Sequence, residues 1–314
     1  MSMVSLLASF SVGLYRLDSR CRAKDCTEES AGECYHTTWQ GCWKDESSER
    51  MAPLCTVRAQ PWSSGSGEQI GMLVIGHRGA SGHAPENTLV AFRKAVALGA
   101  TFIETDLQLS RDAHFVAIHD ETVNRTTNGR GAVHDLTLTE LRELDAGSWF
   151  GSEFAGERIP TLEEILQFSK KNDVVSYLEM KPSGSWGGEH AMIAALRESG
   201  EIPRAVVISF EPTMVLNVRN IEPTVMTGLL YDGQLEKPVE KAVEIGARQL
   251  VVRGDLVTPA LLEQARKKDL QVVCWTINQA AHMRLLIEAG VHGIMSDYPD
   301  RLVAALKKES EAVL

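Results

Sequence analysis

From residue 72 onward, short apolar runs alternate with segments whose apolar residues recur every three to four positions. The apolar runs, bounded by Gly, Asp, Asn and Ser, predict strands over residues 73–77, 102–109, 174–179, 205–209, 225–230, 249–252, 271–275 and 293–296. The helical spacing between them predicts helices over 88–98, 161–171, 189–198, 238–245, 259–268 and 280–289. Strands that alternate with helices in this way predict a (β/α)8 barrel, a TIM barrel, over residues 72–314. A doubly wound open sheet is the alternative. One segment breaks the rhythm. "FVAIHD", residues 115–120, follows the second strand too soon for a helical crossover, and it is expected as the return arm of a hairpin on that strand. Residues 121–160 then make an excursion above the barrel mouth, with a short helix expected around "TLTELREL".

Residues 1–71 lack this periodicity. They contain Cys21, Cys26, Cys34, Cys42 and Cys55 and end in the linker-like "PWSSGSGEQ", so a poorly ordered cysteine-containing extension is expected there. No cysteine pair is spaced as CxxC, which argues against a zinc site. The apolar segment "MVSLLASFSVGLY" has no positive residue before it and no A-x-A-like site after it, so a cytoplasmic protein is expected, with secretion or a periplasmic location as the alternative. A net charge of −10 and a pI of 5.5 disfavour a nucleic-acid partner. No apolar run reaches the length of a membrane span, so no stable membrane insertion is expected. Homo-oligomerisation is left open.

The chemistry gathers at the strand ends. The first strand runs into "GHRGASGHAPENT" and delivers His77 and Arg78. Glu104 and Asp106 lie two apart on the second strand and so share a face. His119 ends the hairpin arm, Glu179 ends the third strand with Lys181 two residues on, Trp275 ends the seventh strand, and Asp297 follows the last. Converging carboxylates repel and are costly to bury without a cation, so Glu104, Asp106 and Glu179 predict a divalent ion. All-oxygen ligation suits Mg2+ or Ca2+. Salt bridges to Lys or Arg inside the barrel are the bland alternative. His77 and His119 beside such a site suit general acid–base work. His83, His114, His134, His190, His282 and His292 are read as structural. Arg78 and Lys181 suit a phosphate, or else neutralise the carboxylates. Asp120 is expected to orient a neighbour or cap a turn. Gly79 and Gly82 permit a tight turn, Asn87 is expected as the N-cap of the first helix, and Glu86 is within reach of the site. GxGxxG, P-loop, G-x-S-x-G and HExxH motifs are missing.

Taken in order, "HRGASGHAPENT", "ETDLQLSRDAHFVAIHDETVNRTTNGRG", "PTLEEIL", "YLEMK", "VISF", "CWTIN" and "GIMSDYP" resemble the successive motifs of glycerophosphodiester phosphodiesterases, from about Met72 to Leu306. The resemblance implies a TIM barrel and metal-dependent hydrolysis of a small-molecule glycerophosphodiester, such as glycerophosphocholine or glycerophosphoethanolamine, to sn-glycerol 3-phosphate and an alcohol. It implies Glu104, Asp106 and Glu179 as ligands of a divalent cation, Mg2+ or Ca2+, and His77 and His119 as the acid–base pair. It implies Arg78 and Lys181 as phosphate contacts, Glu86 as a site-lining residue, and Phe210 and Trp275 as apolar positions near the glycerol moiety. The short excursion looks like that of the compact bacterial type. His119 is taken as the acid and His77 as the base, an order whose exchange leaves the chemistry intact. Two alternatives stand beside this expectation. One is a phospholipase D-like enzyme acting on lysophospholipid or intact lipid, for which the aromatics of "SWFGSEF" would supply an exposed apolar rim. The other is a barrel that binds phosphate or metal without turnover, which would not call for both histidines.

Overall fold

The computed structural model describes residues 71–182 and 187–312. The expected N-terminal extension and its cysteines lie outside the described residues. The strands are β1 (Leu73–Gly76), β2 (Phe102–Leu109), β3 (Phe115–Ala117), β4 (Val175–Met180), β5 (Ala205–Ser209), β6 (Met226–Tyr231), β7 (Gln249–Arg253), β8 (Gln271–Trp275) and β9 (Gly293–Ser296). All but β3 run parallel in the order β1, β9, β8, β7, β6, β5, β4, β2, and a further pairing of β1 with β2 closes the barrel. β3 is the expected hairpin arm, antiparallel to β2 with Leu107 opposite Ala117 and Leu109 opposite Phe115.

The helices are α1 (Leu89–Ala97), α2 (Leu138–Glu143), α3 (Leu162–Asn172), α4 (Gly188–Ser199), α5 (Pro212–Ile221), α6 (Pro238–Glu244), α7 (Pro259–Lys267), α8 (Ala280–Glu288) and α9 (Pro299–Ala312). Their starts follow from local chemistry. Thr161 and Thr137 each form a capping box, with Glu164 and Glu140, so α3 and α2 begin where two orphan N–H groups are satisfied reciprocally. α5, α6 and α7 carry proline in the first turn, where its missing N–H has no helical partner to lose. Among the described residues, no helix is long and apolar enough to cross a membrane.

The period-two pattern sorts the strands into two buried layers. Leu73, Ile75, Phe102, Val175, Tyr177, Val206, Ile208, Val251, Val273 and Met295 fill the barrel interior. Their outward neighbours, among them Val74, Ile103, Leu178, Val207 and Leu250, pack against the helices. The interior column of β2 runs Phe102, Glu104, Asp106, and that of β4 runs Val175, Tyr177, Glu179. The inward face is therefore apolar at the amino end of the barrel and acidic at the carboxyl end. The excursion is not a loose flap. Val123, Val133, Leu141, Ala146 and Ile159 are buried with Val116 and Ile118 in a small core of their own.

Candidate active site

The acidic ends of β2 and β4 are set by register. Asp106 pairs with Glu179 and Glu104 with Tyr177 across the parallel ladder. One oxygen each from Glu104, Asp106 and Glu179 lie within 4.8 Å of one another, and all three residues are buried. Arg78 Nε lies 3.0 Å from Asp106 Oδ2, and Lys181 Nζ lies 2.9 Å from Asp106 Oδ1 and 2.5 Å from Glu179 Oε1. Three carboxylates thus face two cations, which leaves an excess of one negative charge. The electrostatics follow. Burial would raise Asp106, but the Arg78 and Lys181 charges hold it well below the usual carboxylate range. Burial, reinforced by the Asp106 charge, pushes Glu104 and Glu179 above that range. Buried carboxylate oxygens that outnumber the cations beside them are a set that a hard divalent cation fits. The salt bridges of the bland expectation are also present, so the two are not exclusive.

His77 follows β1, tied by its N–H to the Ser296 carbonyl of β9 at 2.9 Å. Its Nδ1 lies 2.7 Å from Asp297 Oδ1. An ionised carboxylate only accepts, so Nδ1 carries the hydrogen, and Nε2 lies 3.4 Å from Thr276 Oγ1. Asp297 is itself fixed by Ser81 Oγ at 2.8 Å and Asn278 Nδ2 at 2.6 Å. Burial would raise Asp297, but the His77 hydrogen bond and charge, with the Ser81 and Asn278 donors behind them, hold it at about 2. His119 follows β3 and repeats the arrangement, its Nδ1 2.8 Å from Asp120 Oδ1. Gln108 on β2 donates its amide to the carbonyls of Ile118, His119 and Asp120 and so fixes the backbone that carries His119. The two imidazoles differ in charge preference. Burial disfavours the proton on His77, but the Asp297 hydrogen bond and the Glu104 charge outweigh it, so its pKa is raised. Burial lowers that of His119, helped by the Arg78 and Lys181 charges.

The turn after β1 holds Arg78, and Lys181, the other phosphate candidate, follows β4. Arg78 takes a left-handed backbone with φ 53°, which lets its own N–H reach Glu104 Oε2 at 2.8 Å. Gly79 follows with φ 80° against the backbone of Ala91, where a Cβ has no room. Asn87 is not the N-cap of α1. Thr88 caps that helix by accepting from the Ala91 N–H. Asn87, with φ 57°, turns inward instead: its Nδ2 donates to Asp106 Oδ2 at 2.9 Å and its Oδ1 accepts from Thr105 Oγ1 at 2.8 Å. Asparagine tolerates the left-handed region, and a buried carboxylate offers it a better partner than a helix end already satisfied by Thr88. Glu86 does reach back, accepting from Arg78 NH1 at 2.9 Å.

These groups meet in one cavity of about 100 Å³. Its polar wall is His77, Arg78, Glu104, His119, Glu179 and Lys181, and its apolar wall includes Phe210 and Trp275, edge to face with ring centroids 5.6 Å apart. Asp106 and Glu86 stand one layer behind, against Arg78 and Lys181. Sequence reasoning placed Asp297 near the site without a role and passed over Ser81, Asn278, Gln108 and Arg125. The polar residues Asn278 in "CWTIN" and Asp297 in "SDYP", just past the ends of apolar strands, are the signal for this pair, which stands half-buried at the barrel mouth.

Comparison with known proteins gives one answer. Residues 77–301 match the model of the Glycerophosphoryl diester phosphodiesterase family. A glycerophosphodiester phosphodiesterase of Caldanaerobacter subterraneus subsp. tengcongensis is 41% identical over 239 residues, covering 75% of this chain and 98% of that protein. The solved structure of an Oleispira antarctica phosphodiesterase in complex with the product sn-glycerol-3-phosphate is similar with a TM-score of 0.69 and 30% identity, over 74% of this chain and 96% of that one. A glycerophosphodiester phosphodiesterase structure from Agrobacterium tumefaciens gives a TM-score of 0.66 at 30% identity, over 73% and 98%.

Proposed function

Because this chain belongs to the glycerophosphoryl diester phosphodiesterase family, we propose that it hydrolyses soluble glycerophosphodiesters such as glycerophosphocholine and glycerophosphoethanolamine to sn-glycerol 3-phosphate and the free alcohol, with residues 72–314 as the catalytic unit. The observation that carries this reading is one small cavity that joins Glu104 and Glu179 of a buried carboxylate triad, two histidines each backed by an aspartate, and an apolar wall that includes Phe210 and Trp275.

Glu104, Asp106 and Glu179 would hold a divalent cation, Mg2+ or Ca2+, which offsets charge on the phosphoryl oxygens as they approach the transition state. Arg78 and Lys181 remain cationic, because Asp106 and its neighbours outweigh the cost of their burial. They supply N–H donors to the phosphate. Phe210 and Trp275 cover the carbon skeleton of the glycerol. The raised pKa of His77 and the lowered pKa of His119 in the cation-free site are directions that suit His77 as the acid that protonates the departing alcohol and His119 as the base that takes the proton of the nucleophile, an exchange of the order set out from the sequence. Water and the glycerol 2-hydroxyl are both nucleophiles that such a base serves, and a transient cyclic phosphate marks the second route.

The direct test is release of sn-glycerol 3-phosphate from both substrates with Mg2+, with Ca2+ and with EDTA. Cation-dependent release is expected; no release with either cation would overturn the soluble-substrate reading and turn attention to lysophospholipids. Trp149 and Phe150 are 39% and 36% exposed and meet edge to face with ring centroids 5.6 Å apart, so each covers part of the other instead of presenting an open apolar rim.

A pH effect follows from the triad. Glu104 and Glu179 have folded pKa values above their unfolded ones, so the stability they contribute to the cation-free protein is present below the ordinary carboxylate pKa and is lost as pH rises through the raised values. A cation binds the ionised forms and reverses that loss. Its addition is expected to raise Tm by about 5–10 °C at pH 8 and by much less at pH 5. Equal gains at both pH values in thermal melts would contradict cation binding by these groups.

A further inference from the structure

A chain of alternating charge borders the site, and the reaction as described does not use its middle member. It starts at Arg78, passes to Glu86, then to Arg125, then to Asp120, and ends on His119 Nδ1. Arg125 comes from the excursion that follows β3. Its NH1 donates to Glu86 Oε2 at 2.8 Å and its NH2 to Oε1 at 2.8 Å. Its Nε donates to Asp120 Oδ2 at 2.7 Å, and NH2 also reaches Oδ1 at 2.9 Å. One planar guanidinium therefore grips both oxygens of two carboxylates.

Stability is a weak reason for this arrangement. The Arg125 side chain is 43% exposed, and ion pairs in water's reach contribute little to folding. Direction is a stronger one. The terminal torsion of an aspartate is broad, so Asp120 alone would not hold an oxygen steadily on its neighbour's ring. Gripped at both oxygens, it cannot rotate without breaking bonds to Arg125, and Oδ1 stays 2.8 Å from His119 Nδ1. Asp297, which backs the other histidine, is fixed independently by Ser81 and Asn278. Arg125 therefore bears on one histidine only.

We propose that Arg125 is a positioning residue for hydrolysis: by clamping Asp120 against Glu86 it sets the tautomer and orientation of the His119 imidazole. The inference rests on the reading that His119 transfers a proton, in whichever direction. A lysine in its place keeps the charge but cannot fork across two carboxylates.

The test is a double-mutant cycle in the full chain with saturating divalent cation, read on kcat with glycerophosphocholine and, for weak variants, with the p-nitrophenyl ester of glycerol 3-phosphate. Arg125→Ala is expected to lower kcat by about 10–100-fold with KM changed less than about threefold, as for other residues that orient a catalytic imidazole. In a His119→Ala background the same substitution is expected to cost less than about twofold, and in a His77→Ala background it is expected to keep its full cost. Arg125→Lys should follow Arg125→Ala, and it replaces that variant in the cycle if the alanine protein fails to fold. Equal losses in all backgrounds, or a change confined to KM, would overturn the proposal in favour of a clamp that only holds the excursion. A fully active His119→Ala would remove the proton-transfer reading, and the Arg125 proposal with it; an inactive His119→Ala with additive Arg125 losses removes the Arg125 proposal alone.

Discussion

His77→Ala and His119→Ala are each expected to lower kcat on glycerophosphocholine by about 10²–10⁴-fold while leaving KM and the melting temperature near those of the unaltered enzyme. The imidazoles line the cavity but carry little of the fold: Asp297 keeps its bonds from Ser81 and Asn278 when His77 is gone, and Asp120 keeps Arg125 when His119 is gone. The two variants should separate when the leaving group changes. A p-nitrophenolate departs without protonation, so the p-nitrophenyl ester of glycerol 3-phosphate restores most of the rate to the variant lacking the acid and none to the variant lacking the base. With His77 taken as the acid, rescue is expected for His77→Ala. Rescue of His119→Ala instead would return the assignment to the order set out from the sequence. A loss of less than about threefold for either residue would remove it from the proton-transfer pair.

Glu179→Gln carries the second large effect, and here activity and stability are expected to part. The cation-free protein strains to keep Glu179 ionised beside Asp106. A neutral amide of the same shape relieves that repulsion, so the melting temperature at pH 8 without cation should hold or rise. The triad, however, loses a charged donor. The expected result is a fall in kcat of about 10²–10⁴-fold, the scale of several kcal/mol of transition-state charge stabilisation, together with loss of the cation-induced rise in Tm. An active variant that still gains stability from cation would show that Glu179 serves as a counter-ion to Lys181 and not as a ligand.

The barrel was legible because strands and helices alternate on either side of the single excursion, and the triad because it continues the inward positions of its strands: Glu104 and Asp106 occupy those that Phe102 begins. Bounds slipped where the end of an apolar run does not coincide with the last ladder bond, as in the run expected over 174–179 that forms Val175–Met180. Asn87 was misread because capping is a local rule, whereas its partner Asp106 arrives from another strand. Arg125 was passed over for a related reason. It lies in a segment without periodicity, and both carboxylates it holds are placed there by the folded barrel. The backing of the two histidines shows the contrast within one site. His119 finds Asp120 beside it in the chain, while His77 finds Asp297 across a separation of 220 residues.

That separation sets a timing for the molecule. During synthesis the carboxylate triad, His119 and its aspartate are all made well before β9, but His77 stays without its partner until the last strand slots between β1 and β8. A nascent or C-terminally clipped chain therefore owns nearly the whole inventory of polar side chains yet lacks the carboxylate that aligns one imidazole.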